Sequence, residues 1–203
     1  MLKYFQVNFL FFLLSAIAII SCKQSANSII NIKNNTDKFT VALMPYKGFD
    51  TTLVEVFYKC NAIIIPVSNL PTNAFYTPRQ RYKADSLLVF QKQLAKDGIR
   101  SVIGFTAKDI STATPDWGVF GLGYCPGKAC VISTYRLKKA SVTTVQLKER
   151  LIKVVLHELG HNLGLPHCTF NKECLLTDAG GTIKQVDRER KWLCSKCTQI
   201  LHQ

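Results

Sequence analysis

One segment near the end of the chain, a stretch with three histidines, constrains the fold more than any other part of the sequence. His157 and His161 are four residues apart, Gly164 follows, and His167 comes three residues later. Residues four apart share one face of a helix, so both imidazoles can reach one metal ion. A glycine here can adopt φ > 0 and end the helix in a tight turn, which would bring His167 back as a third ligand. Glu158 lies where a carboxylate can take a proton from a metal-activated water.

The residues before this motif predict the helix that it needs. Leucines and valines recur at helical spacing over residues 143–163 and form one apolar face. Three of the four histidines in the chain fall within eleven residues, which argues against three unrelated surface side chains. Zn²⁺ binds neutral imidazole readily, and a catalytic zinc keeps one of its four positions for water. We therefore expect a zinc site on this helix.

Four cysteines follow the histidines in two close pairs. They are Cys168 and Cys174, then Cys194 and Cys197. Four thiolates arranged in this way suit a tetrahedral structural Zn²⁺ site. Two disulfides are an alternative in an oxidising compartment, and a redox-active Cys-x-x-Cys is another.

The whole segment resembles the archaemetzincin signature. It consists of the run from His157 to Cys168, then Cys174-Leu175-Leu176, then seventeen residues, then Cys194-Ser195-Lys196-Cys197. That family comprises zinc metallopeptidases of the metzincin clan, with a catalytic zinc on three histidines and a second zinc on four cysteines. Weaker similarity extends upstream, so that the resemblance spans residues 39–197.

The resemblance implies both a fold and a mechanism. The fold would be α/β, a compact metzincin-like sandwich with a largely parallel mixed sheet, an active-site helix and a C-terminal helix. Two Zn²⁺ would be bound, a catalytic one by His157, His161 and His167 and a structural one by the four cysteines. Glu158 would act as general base for a zinc-bound water that attacks the peptide bond.

Two positions depart from the family pattern. Five residues separate Cys168 from Cys174, where the family usually has four. Leu176 replaces the methionine that lies under the catalytic zinc in metzincins. Leu and Met have similar volumes, and such exchanges usually cost under about 1.5 kcal/mol in a packed site. We therefore expect the chemistry to survive the second change.

Upstream of the motif, apolar strands alternate with amphipathic helices. Short apolar runs predict strands, and longer stretches with apolar side chains on one face predict helices. The predicted strands are residues 39–44, 62–67 and 101–105, and the predicted helices are residues 51–59, 79–96 and 187–201. This order supports an α/β fold with a largely parallel sheet.

A hairpin is predicted over residues 117–135, where two strand-like runs flank a Pro-Gly turn. Cys125 and Cys130 bracket the turn, and export would allow a disulfide between them. Two free thiols are the alternative. Cys60 then has no partner and is expected to be a buried thiol.

The first strand of this hairpin is the expected binding edge for a peptide substrate. An extended peptide could add to residues 120–124 through main-chain hydrogen bonds. Gly118, Gly121 and Gly123 would let another backbone approach closely, or they would simply form a flexible or bulged strand.

The N-terminus has the features of a secretory signal peptide over residues 1–21. Lys3 supplies a positive charge, and 13 of the 16 residues from 5 to 20 are apolar, which is short for a permanent bilayer span. Ser21-Cys22 resembles the end of a bacterial lipobox. We expect lipidation of Cys22, a tether over residues 22–37 and a domain over residues 38–203, exported and lipid-anchored to a bacterial membrane. An uncleaved N-terminal helix with an incidental cysteine is the alternative.

The formal charge of +13 does not indicate a nucleic-acid site. Basic residues occur in short groups that Glu149 and Glu189 interrupt, and a signal segment argues against such a partner. Attraction to anionic lipid headgroups is compatible with this charge.

Taken together, the motifs favour a monomeric zinc peptidase that acts on peptides or proteins. The alternative is a non-catalytic zinc-binding lipoprotein with the same fold, against which the intact Glu158 argues.

Overall fold

The computed structural model describes residues 38–138 and 141–203 of the chain. The predicted signal peptide (1–21), Cys22 and the tether (22–37) lie outside these described residues. Within the two described ranges, no helix combines the length and the apolar character that a bilayer span requires.

Short strands and helices alternate along the described residues. In chain order, the strands are β1 (Thr40–Leu43), β2 (Asn61–Ile64), β3 (Phe75–Tyr76), β4 (Arg81–Lys83), β5 (Ile99–Thr106), β6 (Ile110–Ser111), β7 (Gly121–Gly123) and β8 (Ala129–Ser133). The α-helices are α1 (Thr52–Tyr58), α2 (Ala84–Lys92), α3 (Thr144–Asn162), α4 (Ile183–Arg188) and α5 (Ser195–Leu201).

A mixed sheet of five strands, in the order β2-β1-β5-β8-β7, is the centre of the fold. The first four strands are parallel, and β7 runs antiparallel to β8 at one edge. Val41, Ala42 and Leu43 in β1 are fully buried, because strands covered on both faces need continuous apolar runs. The three strands predicted from such runs are present as β1, β2 and β5, with ends shifted by up to three residues.

Helices cover both faces of this sheet and create two apolar cores. The larger core lies between the sheet and helices α1 and α3, and the smaller one lies on the side of α2. Successive side chains of β8 point to opposite faces of the sheet. Cys130 and Ile132 belong to the larger core, and Ala129 and Val131 belong to the smaller one. A three-stranded sheet, β3-β4-β6, adjoins α2.

Helix α3 begins and ends at defined hydrogen-bonding motifs. Thr143 and Gln146 form a reciprocal capping box at its start. At its end, Gly164 adopts φ +99°, its N–H donates to His161, and the next N–H, of Leu165, donates to the Gly160 carbonyl. This is a Schellman motif, and it reverses the chain as the sequence predicts.

The predicted helix over residues 79–96 is wrong in its first part. Arg81–Lys83 form strand β4, which pairs with both β3 and β6, and α2 begins only at Ala84. The reason is tertiary, because Arg81 pairs with Asp109 and Lys83 with Asp116. Strand pairing and these ion pairs together override the local helical pattern.

The predicted C-terminal helix over residues 187–201 is also wrong, because it is two short helices. Between α4 and α5, the Arg190 N–H donates to the Glu173 carbonyl, and the Trp192 carbonyl accepts the N–H of Leu175. These bonds hold the intervening segment extended against residues 173–175. Cys194 ends this segment at the N-cap of α5.

The predicted hairpin is present as β7 and β8, but the predicted disulfide between Cys125 and Cys130 is not. The structure shows no Sγ–Sγ bond between these two residues. The residue opposite Cys130 in the ladder is Gly123, not Cys125, and the Cys130 side chain is buried in the core beside α3. Cys60 is a buried thiol, as predicted, and donates to the Val54 carbonyl.

Candidate metal centres and active site

The three histidines of the motif converge at the end of α3. His157 and His161 are one turn apart on the helix, and the chain reversal at Gly164 brings His167 beside them. Their ligand nitrogens all lie within 4.8 Å of one another. The Nε2 atoms of His157 and His161 are 3.0 Å apart, close to the roughly 3.3 Å that two nitrogens have in tetrahedral zinc coordination. The first two side chains are buried, whereas His167 is exposed and leaves the cluster accessible from solvent.

Backbone carbonyls orient the two buried imidazoles. The Nδ1 atoms of His157 and His161 each lie 2.7 Å from a carbonyl oxygen, of Leu175 and Leu165 respectively. With Nδ1–H as donor, each ring presents its Nε2 lone pair to the cluster, as in known zinc sites. Burial, and then the neighbouring histidines, lower the pKa of His157 well below its usual range. For the same reasons the pKa of His161 falls to about 4, so both rings are neutral at pH 7 and fit a metal ion.

Glu158 lies between the histidines and points towards strand β7. Its side chain is buried, and burial raises its pKa to about 8 although the Gly123 N–H donates to the carboxylate. A Cβ at Gly121 would lie 2.7 Å from Glu158 Cγ and 2.9 Å from Val154 Cγ1. The helix can therefore approach β7 only because residue 121 has no side chain.

The glycines before and in β7 are explained by close packing against other parts of the chain, which the sequence alone does not reveal. A Cβ at Gly123 would lie 2.7 Å from the backbone oxygen of Glu158, and one at Gly118 would overlap the guanidinium of Arg136. These glycines make room for parts of the same chain. Neither a flexible strand nor the approach of a foreign backbone is needed to explain them.

The outer edge of β7 nevertheless remains unpaired among the described strands. The Phe120 carbonyl accepts the N–H of Ser133, so the backbone groups of Phe120 and Leu122 face β8. By alternation, the backbone groups of Gly121 and Gly123 face the open edge. This edge lies directly beside Glu158.

The four cysteines form a second cluster, and all four are buried. The Sγ atoms of Cys168 and Cys194 are 3.6 Å apart, and those of Cys174 and Cys197 are 3.7 Å apart. All four Sγ atoms lie within 4.8 Å of one another. A tetrahedral zinc with bonds of about 2.3 Å places sulfurs about 3.8 Å apart, whereas a disulfide needs about 2.05 Å. The spacing fits a metal ion and not two disulfides.

The extra residue between Cys168 and Cys174 is absorbed in a turn at Asn171. The Asn171 carbonyl accepts the N–H of Cys174 and the hydroxyl of Thr177. Its side chain accepts the N–H of Glu173. The five-residue spacing is therefore compatible with the thiol cluster.

Leu176, at the family's methionine position, is fully buried beneath α3. It packs against Gly160, where a Cβ would lie 2.8 Å from Leu176 Cδ2 and 2.7 Å from the Tyr58 hydroxyl oxygen. That hydroxyl donates to the Leu156 carbonyl, 2.7 Å away. The sequence around Tyr58 does not distinguish it from any other apolar helix residue, so its contact with Gly160 is visible only in the structure.

Comparisons with known proteins agree with this geometry. The chain matches the model of peptidase family M54 over residues 62–203. It is 32% identical to the archaemetzincin of Haloquadratum walsbyi over 152 residues, which cover 71% of this chain and 85% of that protein.

Two solved structures have the same fold. The crystal structure of archaemetzincin from Methanopyrus kandleri superposes with a TM-score of 0.68 at 27% identity, covering 84% of this chain and 96% of that one. The structure of archaemetzincin from Archaeoglobus fulgidus, a malonate complex, gives 0.64 at 26% identity, covering 79% and 99%. The predicted α/β fold is thereby confirmed.

The contact at Gly160 leads to a testable prediction. Alanine is intrinsically the better helix residue by about 1 kcal/mol, but Gly160→Ala would overpack a buried site, which typically costs 1–3 kcal/mol. We expect a net loss of stability in urea unfolding of the metal-loaded protein. In a Tyr58→Phe background, which removes the hydroxyl oxygen, the loss from Gly160→Ala should be smaller. Equal losses in both backgrounds would contradict the assigned contact.

Proposed function

Because this chain belongs to peptidase family M54, the archaemetzincins, and is a zinc metallopeptidase, we propose that it hydrolyses peptide bonds at the histidine cluster on α3, with Glu158 as general base. The observation that carries this proposal is the position of Glu158. Its buried side chain comes from the same helical turn as His157 and His161, whose imidazoles converge with that of His167. Its carboxylate accepts the N–H of Gly123 at an open strand edge.

The residues present fit a catalytic zinc held by His157, His161 and His167. Two of these rings are neutral and oriented by carbonyls, and the third faces solvent. When bound, zinc supplies a Lewis acid that lowers the pKa of a water towards about 7 and polarises the substrate carbonyl.

The chain's own residues perform the remaining steps. A peptide would add to the open edge of β7 in an extended conformation, with main-chain hydrogen bonds to Gly121 and to the carbonyl of Gly123, whose N–H already donates to Glu158. This pairing places the scissile bond next to Glu158. The pKa of Glu158 would fall from about 8 beside the positive charge of a bound zinc, so that the ionised carboxylate can take a proton from the attacking water and pass it to the leaving amine.

Glu158→Ala tests the assigned role. We expect zinc to be retained and peptide cleavage to fall at least about 100-fold, the usual contribution of a general base. The assay is cleavage of a fluorescence-quenched peptide library, with zinc measured on the same sample. Glu149→Gln is a suitable control, because Glu149 is an exposed carboxylate on the same helix that pairs with Lys191.

Cleavage retained in Glu158→Ala would contradict the role of Glu158. If metal-loaded wild type cleaves no member of the library, the alternative of a non-catalytic zinc-binding protein is favoured instead.

We further propose that the cysteine cluster holds a second, structural zinc. Elemental analysis of purified protein should then give two zinc ions per chain, falling to one in His161→Ala and to one in Cys194→Ala. Cys60→Ala, which removes a buried thiol outside the cluster, should keep two. One zinc per wild-type chain would contradict the proposal. So would a content of two in Cys194→Ala.

We also propose that the protein is exported and tethered, as a monomer, to a bacterial membrane by lipid on Cys22. The support is the order of Lys3, an apolar stretch, Ser21 and Cys22 in the sequence. The positive charge of the chain would favour an anionic lipid surface.

Lipidation can be tested by expressing the full chain in a bacterium fed an alkyne-labelled fatty acid. We expect label and membrane association in wild type, both lost in Cys22→Ser and both kept in Cys60→Ser. Label that persists in Cys22→Ser, or a wild-type chain without label, would refute the assignment.

A further inference from the structure

Asn162, the last residue of α3, has a buried side-chain amide that takes no part in the proposed mechanism. It directly follows His161 and is fully buried. Its Oδ1 accepts the hydroxyl of Ser101 in β5 at 2.5 Å, and its Nδ2 donates to the Tyr124 carbonyl at 3.1 Å. One side chain thus connects the metal-bearing helix to the central sheet and to the end of the β7 edge.

The backbone of Asn162 is part of the same junction. Its carbonyl, which the helix leaves without an internal partner, accepts the Arg100 guanidinium at 2.6 Å and the Gly127 N–H at 3.2 Å. Arg100 also donates to the Gly127 carbonyl at 2.8 Å. A cation at a helix C-terminus is stabilised by the helix dipole. Burial lowers the pKa of Arg100, and no carboxylate offsets this in the part of the chain that the structure describes.

Two glycines of the hairpin leave the space that the amide occupies. A Cβ at Gly127 would lie 2.7 Å from Asn162 Nδ2, and one at Gly123 would lie 3.0 Å from the same atom. Gly123 is also the residue whose N–H meets Glu158. The hairpin therefore packs closely against the Asn162 amide where β7 contacts α3.

We infer that Asn162 is a positioning residue, which holds the open edge of β7 in register with Glu158 and the histidines and so controls how a peptide substrate binds. The Nδ2 bond to Tyr124 is the direct link between helix and edge, so its loss would weaken the main-chain hydrogen bonds that a peptide makes with this edge. The expected effect on peptide binding rests on the proposed function. The mechanical coupling itself does not depend on that function.

Two alanine variants separate the links that Asn162 makes. Asn162→Ala removes both the bond to Ser101 and the bond to Tyr124. Ser101→Ala removes the first and leaves the second. Asn162→Asp, which keeps the volume and an oxygen facing Ser101 but loses the donor to Tyr124, serves if the alanine variant does not fold.

Hydrogen exchange of the metal-loaded proteins tests the coupling without any substrate. In Asn162→Ala or Asn162→Asp, amides of residues 121–127 should exchange about tenfold faster, the change expected for one lost buried hydrogen bond. Amides of residues 151–161 should change less than about threefold, and Ser101→Ala should leave residues 121–127 near wild type. Uniform acceleration across helix and hairpin, or equal effects in Ser101→Ala, would overturn the inference.

Kinetics on a peptide that wild type cleaves test the consequence for binding. We expect Asn162→Ala to raise KM about tenfold, with kcat within about threefold and zinc content unchanged. An unchanged KM, or a loss confined to kcat, would overturn the positioning role. If wild type cleaves no peptide, the proposed function fails, while the exchange experiment still decides whether Asn162 couples the edge to the helix.

Discussion

The burial of four polar side chains at the end of α3 is the constraint on which the rest of the structure depends. His157, Glu158, His161 and Asn162 lie in an otherwise apolar helix end and are nearly inaccessible to solvent. A buried polar group without a hydrogen bond is costly. Each of the four is accordingly met by a backbone group, and the segments that provide those groups are the ones that build the site.

Close approach to α3 is the second requirement, and missing side chains make it possible. Gly121 and Gly123 in β7 let the edge strand reach Glu158, while Gly160 in the helix lets Tyr58 and Leu176 reach the backbone between the two histidines. Protein interiors tolerate little excess volume, so a methyl group at any of these positions would push apart the elements that define the site. The site is therefore as much a product of packing as of ligand chemistry.

The two clusters are mechanically linked through one short loop. His167 and Cys168 are consecutive, so one chain reversal places a member of each cluster. The carbonyl of Leu175, next to Cys174, orients His157, and the carbonyl of Leu176 accepts the N–H of Cys168. A metal ion among the cysteines would fix this loop and with it the orientation of a catalytic histidine, which is a physical reason for the two clusters to be neighbours.

The sequence by itself determined what depends on local spacing. Two histidines four apart share a helix face, Gly164 permits the reversal, and apolar runs become buried strands, because each of these follows from backbone geometry within a few residues. Contacts between distant residues decided the rest. Pairing with residues 173–175 splits the C-terminal helix, ion pairs convert residues 81–83 into a strand, and the ladder places Gly123 rather than Cys125 opposite Cys130. Asn162 shows most clearly the difference between what the sequence determines and what the tertiary structure decides. Its place directly after His161 is visible in the sequence. Its partners in β5 and in the hairpin are 61 and 38 residues away, and only the packed structure brings them within reach of one amide.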